Sequence, residues 1–227
     1  MVSDADFRNP HLLRDEDSRN SLRGITEMCS AFGANLPRDE EEQAEGLKAI
    51  IARIGEDVRQ GILVLGDVFS ETEKINRLYK SRIGQGRLKL QLFSLTTGES
   101  HPPHAHGNLL SCQVVLEGRA RIREFSLLNR LEGERLEIQE HPVQYLEPGQ
   151  GVYTLQFRNN IHWQEGLSDE TVLLNINWQG FLPNSPLADR YSVHGRCFID
   201  FSRAENIGGE GHYIVPEVMS RDDAHIG

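Results

Sequence analysis

The stretch with the clearest chemical content runs from Gly98 to Gly118, GESHPPHAHGNLLSCQVVLEG. Two histidines, His104 and His106, stand two apart in a region rich in strand-forming residues. Alternate side chains on a strand point to one face, so both imidazoles face the same side. Two same-face imidazoles are half of a metal site. A third, His162, follows Asn159-Asn160-Ile161 beyond the Pro148-Gly149 turn. In a small barrel, two strands can aim His104, His106 and His162 at one interior point. Three neutral imidazoles with open positions suit Fe(II), Zn, Ni, Mn or Cu, and the open positions permit catalysis. The nearby inward-facing positions hold Ser111 and Gln113 in place of a carboxylate. Gln113 shares the face of Ser111, within reach of a metal or its water. His101 is left out of the set, because a position in a Pro-rich loop fixes no direction for its ring.

Positioning these residues falls to a chain that changes period once. Leu22, Ile25, Cys29 and Phe32 recur at helical spacing, with Gly33 as a stop. After Pro37, the acidic run Asp39 to Glu42 suits a helix N-terminus, and Leu47, Ile50, Ile51, Ile54 and Val58 continue as an apolar stripe. Ser70 with Glu73 forms a capping-box pattern, predicting a third helix that buries Val68, Thr72, Ile75 and Tyr79. Beyond Gly84-Gln85-Gly86 the pattern alternates. Leu88, Leu90 and Leu92 open a strand, and further strands are expected at 109–116, 119–125, 134–139, 151–157 and 171–178. Many short strands with regular turns predict an antiparallel barrel or sandwich. One more apolar run, Cys197 to Phe201, lies in a tail that then becomes Gly-rich and polar.

Composition narrows the function classes. The chain has 227 residues, 34 Asp and Glu against 24 Lys and Arg, and a formal net charge of -10. That balance argues against a nucleic-acid surface. No apolar run approaches the ~20 residues of a membrane span, and the polar, acidic N-terminus does not read as a secretory signal. Three widely spaced cysteines (Cys29, Cys112, Cys197) fit reduced thiols and a cytoplasmic protein.

The residues from Arg87 to Phe181 resemble the cupin superfamily. Its first motif places glycine, five residues, His-x-His, three or four residues, Glu, six residues and Gly. Gly98, His104, His106 and Gly118 match, and Ser111 stands at the Glu position. The second motif, a Pro-x-Gly turn leading to a histidine, is matched more loosely by Pro148-Gly149-Gln150-Gly151 and His162. Within cupins the chain looks most like the cysteine dioxygenase group of thiol dioxygenases, which combines a helical N-terminal region, three histidines and a lost Glu ligand. The resemblance implies a mainly β, cupin-type antiparallel β-barrel (jelly-roll) with an N-terminal helical region. It also implies non-haem Fe(II) on His104, His106 and His162, a substrate thiolate and amine at the open positions with O2, and oxidation of sulfur to a sulfinate.

The family's late-strand Ser-x-His-x-Tyr is replaced here by Leu173-Leu174-Asn175-Ile176-Asn177-Trp178. Asn175 and Asn177 share a face and, with Gln113, are the residues expected to position ligand atoms. Arg82 and Arg87 are the candidates for a substrate carboxylate, and Tyr153 either joins the substrate site or packs in the core. Arg119, Arg121 and Arg123 alternate as one solvated or interface face.

The expected organisation is an N-terminal helical region over 1–83 packing on the barrel, a barrel with the metal site over 84–182, and an extension over 183–227. The first functional reading is a metal-dependent oxygenase acting on a small polar, thiol-type substrate with O2. A non-oxidative cupin (isomerase, lyase or hydrolase on Zn, Ni or Mn) and a small-molecule-binding cupin without catalysis are the alternatives. Cupin barrels often pair through edge strands, so the resemblance allows a homodimer.

Overall fold

The structure, a computed structural model, describes residues 7–66, 75–84, 86–106, 109–156, 158–180, 196–218 and 224. The side chains of Pro10, His106, Arg196 and Cys197 lie outside that description. Two helices open the chain, α1 (Glu16–Ala34) and α2 (Glu40–Arg59). Each begins on an aspartate. Asp15 accepts from the Ser18 backbone N–H, and Asp39 accepts from those of Glu41 and Glu42, satisfying donors that a helix start leaves without partners.

Thirteen strands follow among the described residues. They are β1 (Ile75–Ile83), β2 (Gly86–Leu95), β3 (Ser100–His106), β4 (Leu109–Glu117), β5 (Ala120–Leu131), β6 (Arg135–Glu140), β7 (Gln144–Leu146), β8 (Gly151–Thr154), β9 (Ile161–Gly166), β10 (Thr171–Gln179), β11 (Arg196–Ile199), β12 (Glu205–Asn206) and β13 (His212–Val218). One sheet has the order β1-β2-β10-β4-β8. The other runs β11-β3-β9-β5-β6-β13-β12, with β7 on β5. All pairings between these strands are antiparallel. The order β2-β10-β4-β8 facing β3-β9-β5-β6 is that of a jelly roll, so the fold is the cupin-type barrel with an N-terminal helical layer.

A second closure is superimposed on the jelly roll. β11 also pairs with β13, through Phe198↔Val218 and Ile199↔Glu217, so β11, β3, β9, β5, β6 and β13 form a ring of six antiparallel strands. Ala105, Phe125, Leu136, Ile138, Ile161, Ile199 and Val215 pack as a single cluster within it. Alternation then directs the intervening residues of β3, β9 and β5 at the five-stranded sheet. That sheet has two unlike faces. Leu88, Leu90, Leu92, Leu110, Cys112, Val114, Leu174, Ile176 and Trp178 pack under the helices. Trp178 donates its indole N–H to the Cys29 carbonyl at 2.9 Å and meets Phe32 edge-on at 5.3 Å.

Two glycines mark close approaches. Gly118 has φ +70, and a Cβ there would stand 2.1 Å from the Glu170 carbonyl oxygen. At Gly55 of α2, a Cβ would stand 2.2 Å from the Gly149 carbonyl oxygen, so the helix meets the Pro148-Gly149 turn backbone to backbone.

The expected helix from Ser70 is replaced over 75–83 by strand β1, paired to β2; Ser70, Val68 and Thr72 lie outside the described residues. A bulge between Arg77 and Tyr79 explains the misleading periodicity, because it buries Leu78 and Tyr79 side by side and breaks the two-residue alternation. The sheet therefore begins before residue 84. Among the described residues no helix is long and apolar enough to cross a membrane. Cys29 and Cys112 are free, buried thiols on the helix-facing side, and burial pushes both thiol pKa values up.

Candidate metal centre

β3 and β9 bring the histidines together by register. His104 is the direct cross-strand partner of His162, and Ala105 that of Ile161. Ala105 and Ile161 belong to the ring interior, so His104 and His162 turn the other way, toward the five-stranded sheet. Their ring centroids are 4.5 Å apart at 80°, and the residues are 2% and 3% exposed. Nδ1 of His104 lies 2.8 Å from the Pro102 carbonyl oxygen. A carbonyl only accepts, so Nδ1 carries the proton and the lone pair of the neutral ring sits on Nε2. A metal-binding histidine is held in that way. Nδ1 of His162 faces the Thr154 hydroxyl at 3.3 Å, which serves the same purpose when the hydroxyl accepts.

His106 follows His104 on β3, with its backbone paired to Arg196; its side chain is outside the described set. Among the described residues, no three His, Cys, Asp or Glu side chains are gathered as a metal cluster. The donors present nevertheless suit a divalent metal, being buried, neutral imidazoles with one nitrogen oriented by a carbonyl.

Between the sheets the histidines border a small cavity of about 20 Å³, lined also by His101, Gln164, Gln91, Phe93, Gln113, Asn175 and Ile75. That is room for roughly one water-sized occupant. The polar wall is made of amides. Gln91, Asn175 and Gln113 form one cross-strand row over β2, β10 and β4. Gln164 donates to Gln113 Oε1, and Asn177 donates to Asn175 Oδ1 at 3.0 Å. The two expected positioning residues Gln113 and Asn175 therefore line the cavity. Asn177 stands one row away, paired with Ser111 and Lys89. Ser111 itself is buried, with no hydrogen-bond partner for its Oγ among the described residues.

The substrate candidates separate. Arg82 and Arg87 are cross-strand partners, both exposed, on the face of Gln91. Arg87 lies four residues from Gln91 along β2, or ~13 Å, so neither arginine lines the cavity. Lys80 and Lys89 pair between them, adding to a basic strip on an acidic chain. Of the two places expected for Tyr153, the structure gives the packed one and not the substrate site. Tyr153 sits between the inward Val152 and Thr154, pairs with Cys112, and packs against the helix-facing cluster, because alternation turns it away from the cavity. Arg119, Arg121 and Arg123 form ion pairs with Glu147, Glu165 and Glu140, and Arg121 lies 4.9 Å over the Trp163 ring. They form an outer charged face.

Two residues of the region were missed by sequence reading. His101, expected in a loop, lies in β3, is 7% exposed, and lines the cavity with its ring 4.6 Å from that of His104. Glu124 of β5 is the direct partner of His162 on the other side of β9, giving the row His104, His162, Glu124. It is 2% exposed, and Gln144 donates to its Oε2 at 2.7 Å. Oε1 has no hydrogen-bond partner among the described residues. Burial pushes its pKa up to about 8, against which the Gln144 hydrogen bond acts weakly. At neutral pH the carboxyl is mainly protonated, and the wall around the histidines is electrically neutral. Only strand register, invisible in sequence, puts Glu124 there.

A larger hollow of about 240 Å³ lies beside α1 and β1, with Phe7, Leu13, Leu22 and Leu78 on its walls. Its one carboxylate, Glu16, pairs with Arg19, and it has no histidine or cysteine. The chemistry stays with the histidines.

No protein-family model matches the chain, and no curated protein does. Solved structures resemble it over about half its length. The likeness to KdgF from Halomonas sp. has 14% identity and a TM-score of 0.34, over 49% of this chain and 86% of that one. For the DMSP lyase DddQ from Ruegeria pomeroyi the values are 16% and 0.33, over 50% of this chain and 51% of that one. A cupin superfamily protein from Desulfitobacterium hafniense gives 16% and 0.33, over 48% and 81%. These neighbours include cupin-fold proteins.

Proposed function

We propose that this chain is a metal-dependent cupin oxygenase, of thiol-dioxygenase type, in which His104, His106 and His162 hold a non-haem Fe(II). The observation that carries the proposal is the His104–His162 pair, buried and cross-strand, with His104 Nδ1 committed to the Pro102 carbonyl. Iron, when bound, supplies a redox-active Lewis acid that lowers a thiol's pKa and activates O2.

The chain's own residues set the terms of binding. Imidazoles and amides carry no negative charge to set against a divalent ion, which favours an anionic ligand such as a thiolate or carboxylate. Gln164 engages Oε1 of Gln113, and Asn177 engages Oδ1 of Asn175. Both cavity amides are thereby turned to offer N–H donors to such a ligand. Arg82, Arg87, Lys80 and Lys89 lie further along the same face and would draw an anion toward it.

The test is oxygen uptake by Fe(II)-loaded protein with cysteine, cysteamine, 3-mercaptopropionate and non-thiol acids. Uptake with at least one thiol, lost on replacement of iron by zinc, is expected. Turnover without O2 that survives zinc replacement would move the chain to the non-oxidative class.

A further inference from the structure

We infer that His101 is a metal-binding imidazole of this centre, acting with His104 and His162. The inference rests on the metal reading above. His101 and His104 are three residues apart, and in a regular strand that spacing sends side chains to opposite faces. Here the register shifts between them: His101 pairs with Gln164 and His104 with His162. The irregularity falls on Pro102-Pro103, residues that cannot donate to a ladder. Bulges of this kind re-aim side chains beside active sites. Its result is that His101, His104 and His162 line one cavity with rings in sequence, 4.6 and 4.5 Å between centroids.

Those spacings are informative. With metal–nitrogen bonds of about 2.0–2.1 Å and octahedral or tetrahedral angles, two ligating imidazoles have centroids roughly 4.5–5.2 Å apart. The strands already set both distances near that range; the three side chains do not yet converge as a metal cluster, so ligation requires the rings to turn toward one point. His101 is nearly buried, with Phe93 packed edge-on at 5.5 Å on the cavity wall they share. The Pro102 carbonyl that holds His104 belongs to the same irregular segment, so one feature of the backbone places two of the rings.

The experiment measures Co(II) affinity by titration calorimetry and nitrogen hyperfine structure by EPR of the Cu(II)-loaded protein. It uses the full chain and the variants His101→Ala, His101→Phe, His104→Ala and His162→Ala, each checked for folding by circular dichroism. The phenylalanine fills the site against Phe93 without offering a ligand. We expect both His101 variants to bind Co(II) at least tenfold more weakly and to lose one nitrogen from the Cu(II) spectrum. If either folded His101 variant keeps wild-type affinity and nitrogen count while the His104 and His162 variants lose binding, the His101 assignment is overturned and the metal reading stands. If the wild type binds neither ion, both are overturned.

Discussion

The two faces of the five-stranded sheet are made by the same strands yet do opposite work. On β2, Leu88, Leu90 and Leu92 point at the helices, while Lys89, Gln91 and Phe93 point at the second sheet. On β10 the helix side has Leu174, Ile176 and Trp178, and the cavity side Leu173, Asn175 and Asn177. One face is a continuous apolar surface under two helices. The other is apolar only at one end, around Phe93, Val115 and Leu173, and polar where the histidines face it. A polar interior is costly unless its groups are paired, so the helix-covered face must carry the stability that the cavity face gives up. Stability and chemistry are divided by a period of two residues.

Four substitutions probe that division. The largest effect is expected at Trp178→Ala on the helix side. It should lower unfolding free energy by about 3–5 kcal/mol in a denaturant titration while leaving metal content unchanged; a change confined to metal binding would break the division.

Next is Glu124→Gln on the cavity side, read in metal-free protein. Below about pH 4.5 the carboxyl is protonated both folded and unfolded. Above that, the unfolded chain releases its proton while the folded chain keeps it up to about pH 8. The folded state therefore binds more protons, and stability falls as pH rises through this window, then levels off. The glutamine should remove that fall, worth at most on the order of 5 kcal/mol over the whole window. Parallel stability–pH curves for the two proteins would contradict the burial of a lone carboxyl.

Gln113→Ala should raise KM by about threefold to tenfold, near the 1 kcal/mol of one neutral hydrogen bond, with metal content intact. Loss of the metal instead would make Gln113 a ligand. Smallest of all, Tyr153→Phe should leave KM and metal content within about twofold of wild type, because its ring faces the helices.

The sequence disclosed what depends on short-range pattern. Helical spacing located α1 and α2, with the acidic run after Pro37 marking the start of the second, alternation located β2, β4 and β10, and motif spacing singled out His104 and His162. Gly118, with its positive φ pressed against Glu170, is also a residue whose type is visible locally. What escaped depends on register or on breaks in alternation. The bulge at Arg77/Tyr79 disguised β1 as a helix, and the irregularity at Pro102-Pro103 hid His101. Glu124 lies 38 positions before His162 and meets it only because β5 pairs with β9. The closure of β11 on β13 likewise depends on pairing: the apolar run at 197–201 was visible, its partner strand across a polar, Gly-rich stretch was not.

The most direct test of the central claim is metal analysis of protein purified without an affinity tag or chelator, beside a His104→Ala/His162→Ala double variant. About one transition-metal ion per wild-type chain and none in the folded double variant is the predicted result. Equal metal content in the two proteins, or none in either, would contradict it.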